Sequence, residues 1–205
     1  MSSSKLTIVD YGMGNIWSVE SAMRYLDAEI IISADPEVVS KSDCIILPGV
    51  GSFKEAMETL ISSNLDEALI FARNKGSKIL GICLGMQLLG KSSTEEGFTS
   101  GLNLFDRKVE YFKETSEIKI PHIGFNSVYS DTSSNLFKGL DYGSDFYFVH
   151  SYRMSLSNDD TKHSFCEYGE KFLSSFEFEN TFGTQFHPEK SQSNGIKLLQ
   201  NFINI

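Results

Sequence analysis

The stretch from residue 78 to residue 87 reads Lys78-Ile79-Leu80-Gly81-Ile82-Cys83-Leu84-Gly85-Met86-Gln87. Its first half is a short apolar run of the kind that forms a buried strand, and the pattern Gly-x-Cys-x-Gly follows directly. That pattern is typical of a nucleophile elbow, a tight strand-to-helix turn that lifts a reactive side chain above the edge of a parallel sheet. The stretch therefore predicts an α/β protein with Cys83 as a candidate nucleophile.

The chain on either side of this stretch alternates between two patterns. Strands are predicted at 6–9, 29–33 and 43–47, and helices after Asn15, from Ser52 and over 66–75. Continuous apolar strands separated by amphipathic helices predict a mostly parallel central sheet with helices on both faces. From about residue 102 to 186 the segments are short and aromatic, which predicts an antiparallel or mixed extension of that sheet. Its strands are predicted at 146–150 and 172–178, and a closing helix at 195–205.

Composition limits the classes of function. The 205 residues predict a single domain over 1–205, and a net charge of −9 argues against nucleic acid as the main ligand. No apolar run reaches the ~18 residues of a membrane span. Residues 1–5 lack the apolar stretch of a signal peptide. The three cysteines, at 44, 83 and 166, have unrelated spacings, so neither a disulfide nor a zinc site is expected and a reducing cytoplasm fits best.

Cys83 has two interpretations. In an elbow, side chains at Gly81 and Gly85 would crowd the turn, the following helix would stabilise a thiolate, and the Leu84 N–H would be free to bind an oxyanion. Alternatively, Cys83 is a small buried core residue, as most lone cysteines are. The motif alone leaves both interpretations open.

A candidate base lies in the stretch Gly183-Thr184-Gln185-Phe186-His187-Pro188-Glu189. If Pro188 holds this segment extended, His187 and Glu189 face the same side, and the carboxylate can orient the imidazole. The alternative is a weak, exposed ion pair. His122, expected in a loop, and His163, in a polar stretch, are poorer candidates. His150 at the end of an aromatic strand is the only serious rival, although no carboxylate lies near it in sequence.

Two glycine-containing loops could bind anions. Pro48-Gly49-Val50-Gly51 follows the third strand, where loops line the ligand crevice of a parallel sheet, although an ordinary tight connection explains it equally well. The segment at 10–15 invites a dinucleotide interpretation. Trp17 stands where the third glycine of that motif belongs, which disfavours a Rossmann cofactor site.

Taken together, these residues resemble the class I, triad-type glutamine amidotransferases, and most closely the glutaminase subunits of imidazole glycerol phosphate synthase from histidine biosynthesis. The matching stretches occur in the family's order, at 10–15, 48–51, 81–87, 146–152 and 186–191. The resemblance implies a flavodoxin-like fold and hydrolysis of L-glutamine to glutamate and ammonia. It also implies a heterodimer with a (β/α)8 cyclase subunit that receives the ammonia and makes imidazole glycerol phosphate and AICAR. The sequence gives no reason to expect a metal or an organic cofactor.

The resemblance also assigns residues. Cys83, His187 and Glu189 match the catalytic triad. The oxyanion hole corresponds to the backbone of Gly49, Val50, Gly51 and Leu84. Contacts to the glutamine substrate correspond to Gln87, Glu95, Ser151 and Tyr152. The partner interface is expected near Asn15, Phe125 and Lys190. A partner could switch the enzyme on by reorienting the loop at 48–51.

Two departures from the family pattern leave the product open. Phe125 stands where a tryptophan is usual, and Gly90-Lys91 replaces a bulky aromatic and a charged residue. Both are expected near the partner-facing side, so the chain could instead be a paralogue that supplies ammonia to amidate a sugar for surface polysaccharides. A related thiol hydrolase and a non-catalytic regulatory subunit are the remaining alternatives.

Overall fold

The computed structural model describes residues 6–116, 118–130, 133–156 and 162–205. Residues 1–5, on which the signal-peptide expectation depends, and most of the polar stretch before His163 lie outside the described residues. The strands are β1 (Leu6–Val9), β2 (Ile30–Ser33), β3 (Cys44–Leu47), β4 (Lys78–Ile82), β5 (Ser92–Ser93), β6 (Thr99–Ser100), β7 (Lys108–Tyr111), β8 (His122–Ser130), β9 (Ser144–His150), β10 (Tyr152–Ser155), β11 (Lys162–Tyr168), β12 (Glu170–Phe178) and β13 (Thr181–Thr184). The helices are α1 (Ile16–Tyr25), α2 (Pro36–Lys41), α3 (Phe53–Ser62), α4 (Leu65–Asn74), α5 (Leu84–Leu88), α6 (Gln192–Asn204) and a 3₁₀ turn at Pro188–Lys190.

The core of the sheet is parallel, with the strand order β2-β1-β3-β4-β13. This order is the flavodoxin-like one, with β13 taking the place of the fifth strand. Apolar side chains of α3 and α4, such as Phe53 and Leu69, pack in one buried cluster. Those of α1 and α6, such as Met23 and Phe202, pack in a second cluster. The predicted α/β fold is confirmed, and β1 and β3 are buried along their whole length because helices cover both of their faces.

The second half of the chain extends this sheet. Strand β12 pairs antiparallel with β13, β10 and β11, while β8 and β9 form a long antiparallel ribbon that joins the sheet through β11. The predicted mixed extension is therefore confirmed. Because of this extension, the end of the β8–β9 ribbon at His150 lies at the edge of the sheet where Cys83 lies.

Parallel pairing decides where the site can form. Strands β3, β4 and β13 run in the same direction, so their carboxyl ends meet at one edge of the sheet. The loop at 48–51 leaves β3, Cys83 leaves β4, and Gln185 and His187 follow β13. Residues separated by more than a hundred positions are thereby brought together.

Three local predictions were wrong or incomplete. Helix α2 was not predicted, because six residues are too few to show a helical period, although Asp35 caps it and Pro36 occupies its first position. The segment at Pro188 is not extended but forms a 3₁₀ turn. His122 does not lie in a loop, since it begins β8 and pairs with His150 across the ribbon.

Two further observations concern expectations from composition. Among the described residues, every helix is too short or too polar to traverse a lipid bilayer. Cys44, Cys83 and Cys166 are all buried and none forms a disulfide.

Candidate active site

Cys83 sits on a strained turn between β4 and α5. Its backbone angles are φ 54° and ψ −110°, in a region that non-glycine residues rarely occupy, and its N–H donates to the Thr184 carbonyl at 2.7 Å. A Cβ on Gly81 would lie 2.6 Å from the backbone of Gly85, and one on Gly85 would lie 1.8 Å from the Leu47 carbonyl oxygen. The turn therefore needs both glycines, as the elbow pattern predicts.

His187 and Glu189 form a buried pair behind the sulfur. The imidazole Nδ1 lies 2.7 Å from the Glu189 Oε1, and each side chain is 1% exposed. The exposed-pair alternative is therefore wrong. The contact spans the 3₁₀ turn, and the His187 N–H is held by the Tyr147 carbonyl at 2.8 Å. Imidazole Nε2 is buried and, within the described part of the chain, has no hydrogen bond of ordinary geometry.

The charge state of His187 follows from its neighbours. Burial alone would lower its pKa, but the Cys83 thiolate and the Glu189 carboxylate together raise the pKa to about 10. A protonated imidazole is thus held between two anionic groups. This arrangement keeps a proton on His187 at neutral pH, next to the sulfur of Cys83.

A cavity of about 340 Å³ opens above the elbow. Its lining residues are Val50, Gly51, Cys83, Leu84, Gln87, Glu95, Pro121, Val149, His150, Ser151, Tyr152 and His187. The structure thus places in one cavity most residues to which the sequence assigned catalysis, oxyanion binding or glutamine contact. Two of these residues are outside the lining: Gly49 is buried within the loop at 48–51, and Glu189 lies behind His187.

The loop at 48–51 is only partly arranged as an oxyanion hole. Leu84 is the first residue of α5, so its N–H has no partner within the helix. The Val50 N–H instead donates to the Met13 carbonyl at 3.3 Å. Below the loop, the hydroxyl of buried Tyr11 donates to the Pro48 carbonyl at 2.9 Å, and burial raises the pKa of Tyr11. Val50 can therefore contribute its amide only after the loop rotates.

The same cavity contains the residues predicted to contact glutamine. The Gln87 Nε2 donates to the Tyr152 carbonyl at 3.0 Å, which joins α5 to the start of β10. The Glu95 carboxylate accepts from the Phe53 N–H at 2.8 Å, and burial raises its pKa. Glu95 is thus held at the cavity by the first residue of α3.

His150 also lines the cavity, but both of its ring nitrogens are engaged. Nδ1 lies 2.8 Å from the Tyr152 carbonyl oxygen, and Nε2 lies 3.2 Å from the His122 Nδ1. Burial, chiefly, lowers the pKa of His150 to about 3. A base needs a free nitrogen that faces the nucleophile, so His150 is not a rival to His187.

Sequence reasoning missed one residue at the sulfur. Gln185 is fully buried, and its side chain lies between Gln87 and Cys83. Gln185 is part of the stretch that contains His187, but no sequence pattern assigns a role to a glutamine at that position.

Two of the predicted interface residues, Phe125 and Lys190, contact the same ring. Phe125 is 51% exposed and its ring contacts Tyr147, whose ring in turn lies 5.9 Å from the Lys190 ammonium. Asn15 caps α1, which packs against the 3₁₀ turn that carries Lys190. Ile123 and Val149, both exposed, extend this apolar surface along the ribbon.

Comparison with known proteins agrees with this geometry. The family model for class I glutamine amidotransferases matches residues 7–205. Imidazole glycerol phosphate synthase subunit HisH 1 of Parasynechococcus marenigrum (strain WH8102) is 46% identical over 98% of this chain and 97% of its own length. The HisH subunit of Aquifex aeolicus (strain VF5) is 42% identical over 97% of this chain and 95% of its own.

Solved structures support the fold. A glutamine amidotransferase crystal structure has a TM-score of 0.75 at 15% identity and covers 97% of both chains. PurLQS from Thermotoga maritima has a TM-score of 0.70 at 18% identity and covers 98% of both. The chain belongs to the class I glutamine amidotransferases and, within them, to the family of the HisH subunits of imidazole glycerol phosphate synthase.

Proposed function

We propose that Cys83, His187 and Glu189 hydrolyse L-glutamine, and that residues 1–205 form one glutaminase domain. The chain is a glutamine amidotransferase, the glutaminase subunit of imidazole glycerol phosphate synthase in histidine biosynthesis. One observation carries the residue assignment: a cysteine on a strained elbow lines the same cavity as a histidine that is paired with a buried glutamate. Full-length relatives do not favour the sugar-amidating alternative.

In the first half of the reaction, the Cys83 thiolate attacks the side-chain carbonyl carbon of glutamine. A carbon–sulfur bond forms, and the carbonyl electron pair moves onto oxygen. His187 then gives its Nε2 proton to the amide nitrogen, the carbon–nitrogen bond breaks, and ammonia leaves. A γ-glutamyl thioester remains on Cys83.

In the second half, His187 is neutral and acts as a base. It takes a proton from water, and the resulting hydroxide attacks the thioester carbonyl. The carbon–sulfur bond breaks, glutamate departs, and the thiolate and protonated imidazole are restored. Glu189 holds the ring through Nδ1 at 2.7 Å in both halves and stabilises its positive charge.

The oxyanion is bound by backbone donors from Leu84 and from the loop at Gly49, Val50 and Gly51. One such donor contributes about 3–4 kcal/mol to lowering the barrier. Because the Val50 N–H donates to Met13, the hole is incomplete until the loop rotates. A partner that favours the rotated loop would couple glutamine consumption to demand.

Substrate recognition is assigned to Glu95, Gln87, Ser151 and Tyr152. The Glu95 carboxylate supplies a negative charge for the α-ammonium group of glutamine. Gln87 and the backbone of Ser151 and Tyr152 supply polar contacts for the rest of the substrate. All four residues line the cavity.

The partner we infer is a (β/α)8 synthase subunit that docks around the cavity mouth, on the surface that contains Asn15, Phe125 and Lys190. Free ammonia in water at neutral pH is mostly ammonium, which is not nucleophilic. A dry passage into the partner would keep it neutral. A cytoplasmic location remains a prediction.

The decisive experiment is Cys83→Ala in the complex with the synthase subunit. Glutamine-dependent synthesis should disappear, because no thioester can form, while ammonia-dependent synthesis should persist. Both rates are measured by product formation with glutamine or with ammonium salt. Cys44→Ala is the matched control, since Cys44 is buried away from the cavity and should leave both rates near wild type. Retention of glutamine-dependent synthesis by Cys83→Ala would refute the assignment.

A further inference from the structure

Gln185 lies directly beside the proposed nucleophile. Its Nε2 is 3.8 Å from the Cys83 Sγ, within hydrogen-bonding distance for sulfur. Its Oε1 is 2.9 Å from the Gln87 Nε2, and its main-chain N–H donates to the Ser174 carbonyl at 2.8 Å. The residue is fully buried, with two contacts fixing its side chain and one fixing its main chain.

The orientation of this amide follows from its neighbours. The Tyr152 carbonyl oxygen can only accept, so the end of Gln87 that contacts it at 3.0 Å must be the NH₂ group. The second N–H of that group needs an acceptor and finds the Gln185 Oε1. Gln185 must therefore present its own NH₂ group to the sulfur. In the flipped orientation, the NH₂ groups of Gln185 and Gln87 would face each other with no acceptor between them.

A donor at this position distinguishes the two forms of Cys83. A thiolate is a strong acceptor and gains a charge-assisted hydrogen bond from Gln185. A thiol is a weak acceptor, and the Val149 carbonyl oxygen, 3.9 Å from the sulfur, is a distant acceptor for its proton. Gln185 thus stabilises the charged form more than the neutral one.

We propose that Gln185 stabilises the Cys83 thiolate through its Nε2, and that Gln87 and the Tyr152 carbonyl hold it in the required orientation. The inference rests on the proposed role of Cys83 as nucleophile. It gives Gln87 a second task, because the residue assigned to glutamine contact also aligns the donor at the sulfur.

Other titratable groups also act on this sulfur or share its cavity. They are His187, Glu189, Tyr11, Glu95, His150 and Tyr152. All six remain in a variant changed only at position 185. A comparison of that variant with wild type therefore isolates the contribution of Gln185.

The test is the pH dependence of Cys83 alkylation by iodoacetamide, which needs neither glutamine nor a partner. The modified Cys83 peptide is quantified by mass spectrometry in wild type, Gln185→Met and Gln185→Glu. Removal of the donor in Gln185→Met should move the alkylation midpoint up by about one pH unit. Gln185→Glu can still accept from Gln87 but adds a negative charge at the sulfur, so its midpoint should rise further.

Cys44 and Cys166 provide an internal control. Both are buried, and burial raises the pKa of Cys44 to about 11 and that of Cys166 to about 12. Their alkylation stays slow unless a substitution has loosened the fold and exposed the buried cysteines. If that happens in one variant, the conclusion is drawn from the other variant. An unchanged midpoint in a closed variant overturns the inference. That result leaves the glutaminase assignment intact, whereas retained glutamine-dependent synthesis in Cys83→Ala would remove the assignment itself.

Discussion

His187 and the His122–His150 pair are buried histidine sites on the same side of the sheet, yet they differ in charge. His187 contacts a carboxylate at 2.7 Å, whereas His122 and His150 contact each other at 3.2 Å. The three residues are 1%, 2% and 6% exposed. Burial is therefore nearly equal, and the difference between the sites must come from their partners.

The pKa values of the two sites move in opposite directions. Burial lowers the pKa of His122 to about 4 and that of His150 to about 3, with no carboxylate to oppose it. For His187, the same effect of burial is overcome by Cys83 and Glu189, and the pKa rises to about 10. A buried histidine can thus be a permanently neutral structural group or a proton carrier, and an adjacent negative charge decides which.

The neutral pair has a defined hydrogen-bond direction. His150 must donate through Nδ1 to the Tyr152 carbonyl, which leaves its Nε2 to accept from the His122 Nδ1. His122 Nε2 can then accept from the Asn126 amide at 3.4 Å. The pair thereby fixes the backbone at Tyr152, which forms one wall of the cavity.

The largest expected effect is on turnover, and it distinguishes His187 from the His122–His150 pair. His187→Asn should lower glutamine-dependent turnover by about 10⁴-fold, because no group remains to protonate the leaving ammonia. His122→Asn should cost less than about 10-fold, since that ring only supports the wall. Turnover of both variants is measured in the complex, with ammonia-dependent synthesis as the control. Similar losses in the two variants would contradict the comparison.

A smaller effect is expected when the carboxylate alone is neutralised. Glu189→Gln keeps the shape of the pair but removes the charge that stabilises the imidazolium, so turnover should fall by about 10³-fold. The pKa of His187, followed by NMR of the imidazole ring, should fall relative to wild type. An unchanged pKa would show that Glu189 does not set the charge of His187. Glu179→Gln is the matched control, because that carboxylate is exposed and pairs with Arg73 on the surface.

The smallest effect concerns stability. The folded pKa of His122 lies below its unfolded value near 6.5, so its neutral burial stabilises the fold above pH 6.5. This contribution is lost as the pH falls toward 4, because the unfolded chain binds the proton first. The destabilisation caused by His122→Asn should therefore shrink by up to roughly 2 kcal/mol between pH 7 and pH 5. Urea unfolding at both pH values measures it, and a pH-independent difference would mean that His122 titrates normally in the folded state.

Local patterns predicted much of the fold. The strands at 6–9 and 78–82 and the helix capped by Ser52 were found within one or two residues, because the period of apolar side chains reports directly on burial. Helix α2 is too short to show such a period. The 3₁₀ turn at Pro188 was mistaken for extended chain, because proline fixes its own φ but leaves ψ open to the packing around it.

The sequence by itself determined the elbow at Cys83, since a strained strand-to-helix turn needs glycine at 81 and 85 whatever surrounds it. It also determined the closeness of His187 and Glu189, which lie two residues apart. Only the tertiary structure decided that His122 pairs with His150, that the Val50 amide donates to Met13, and that Gln185 reaches the sulfur. These contacts join residues that lie far apart in the chain, and strand order and register, rather than any local pattern, bring them within hydrogen-bonding distance.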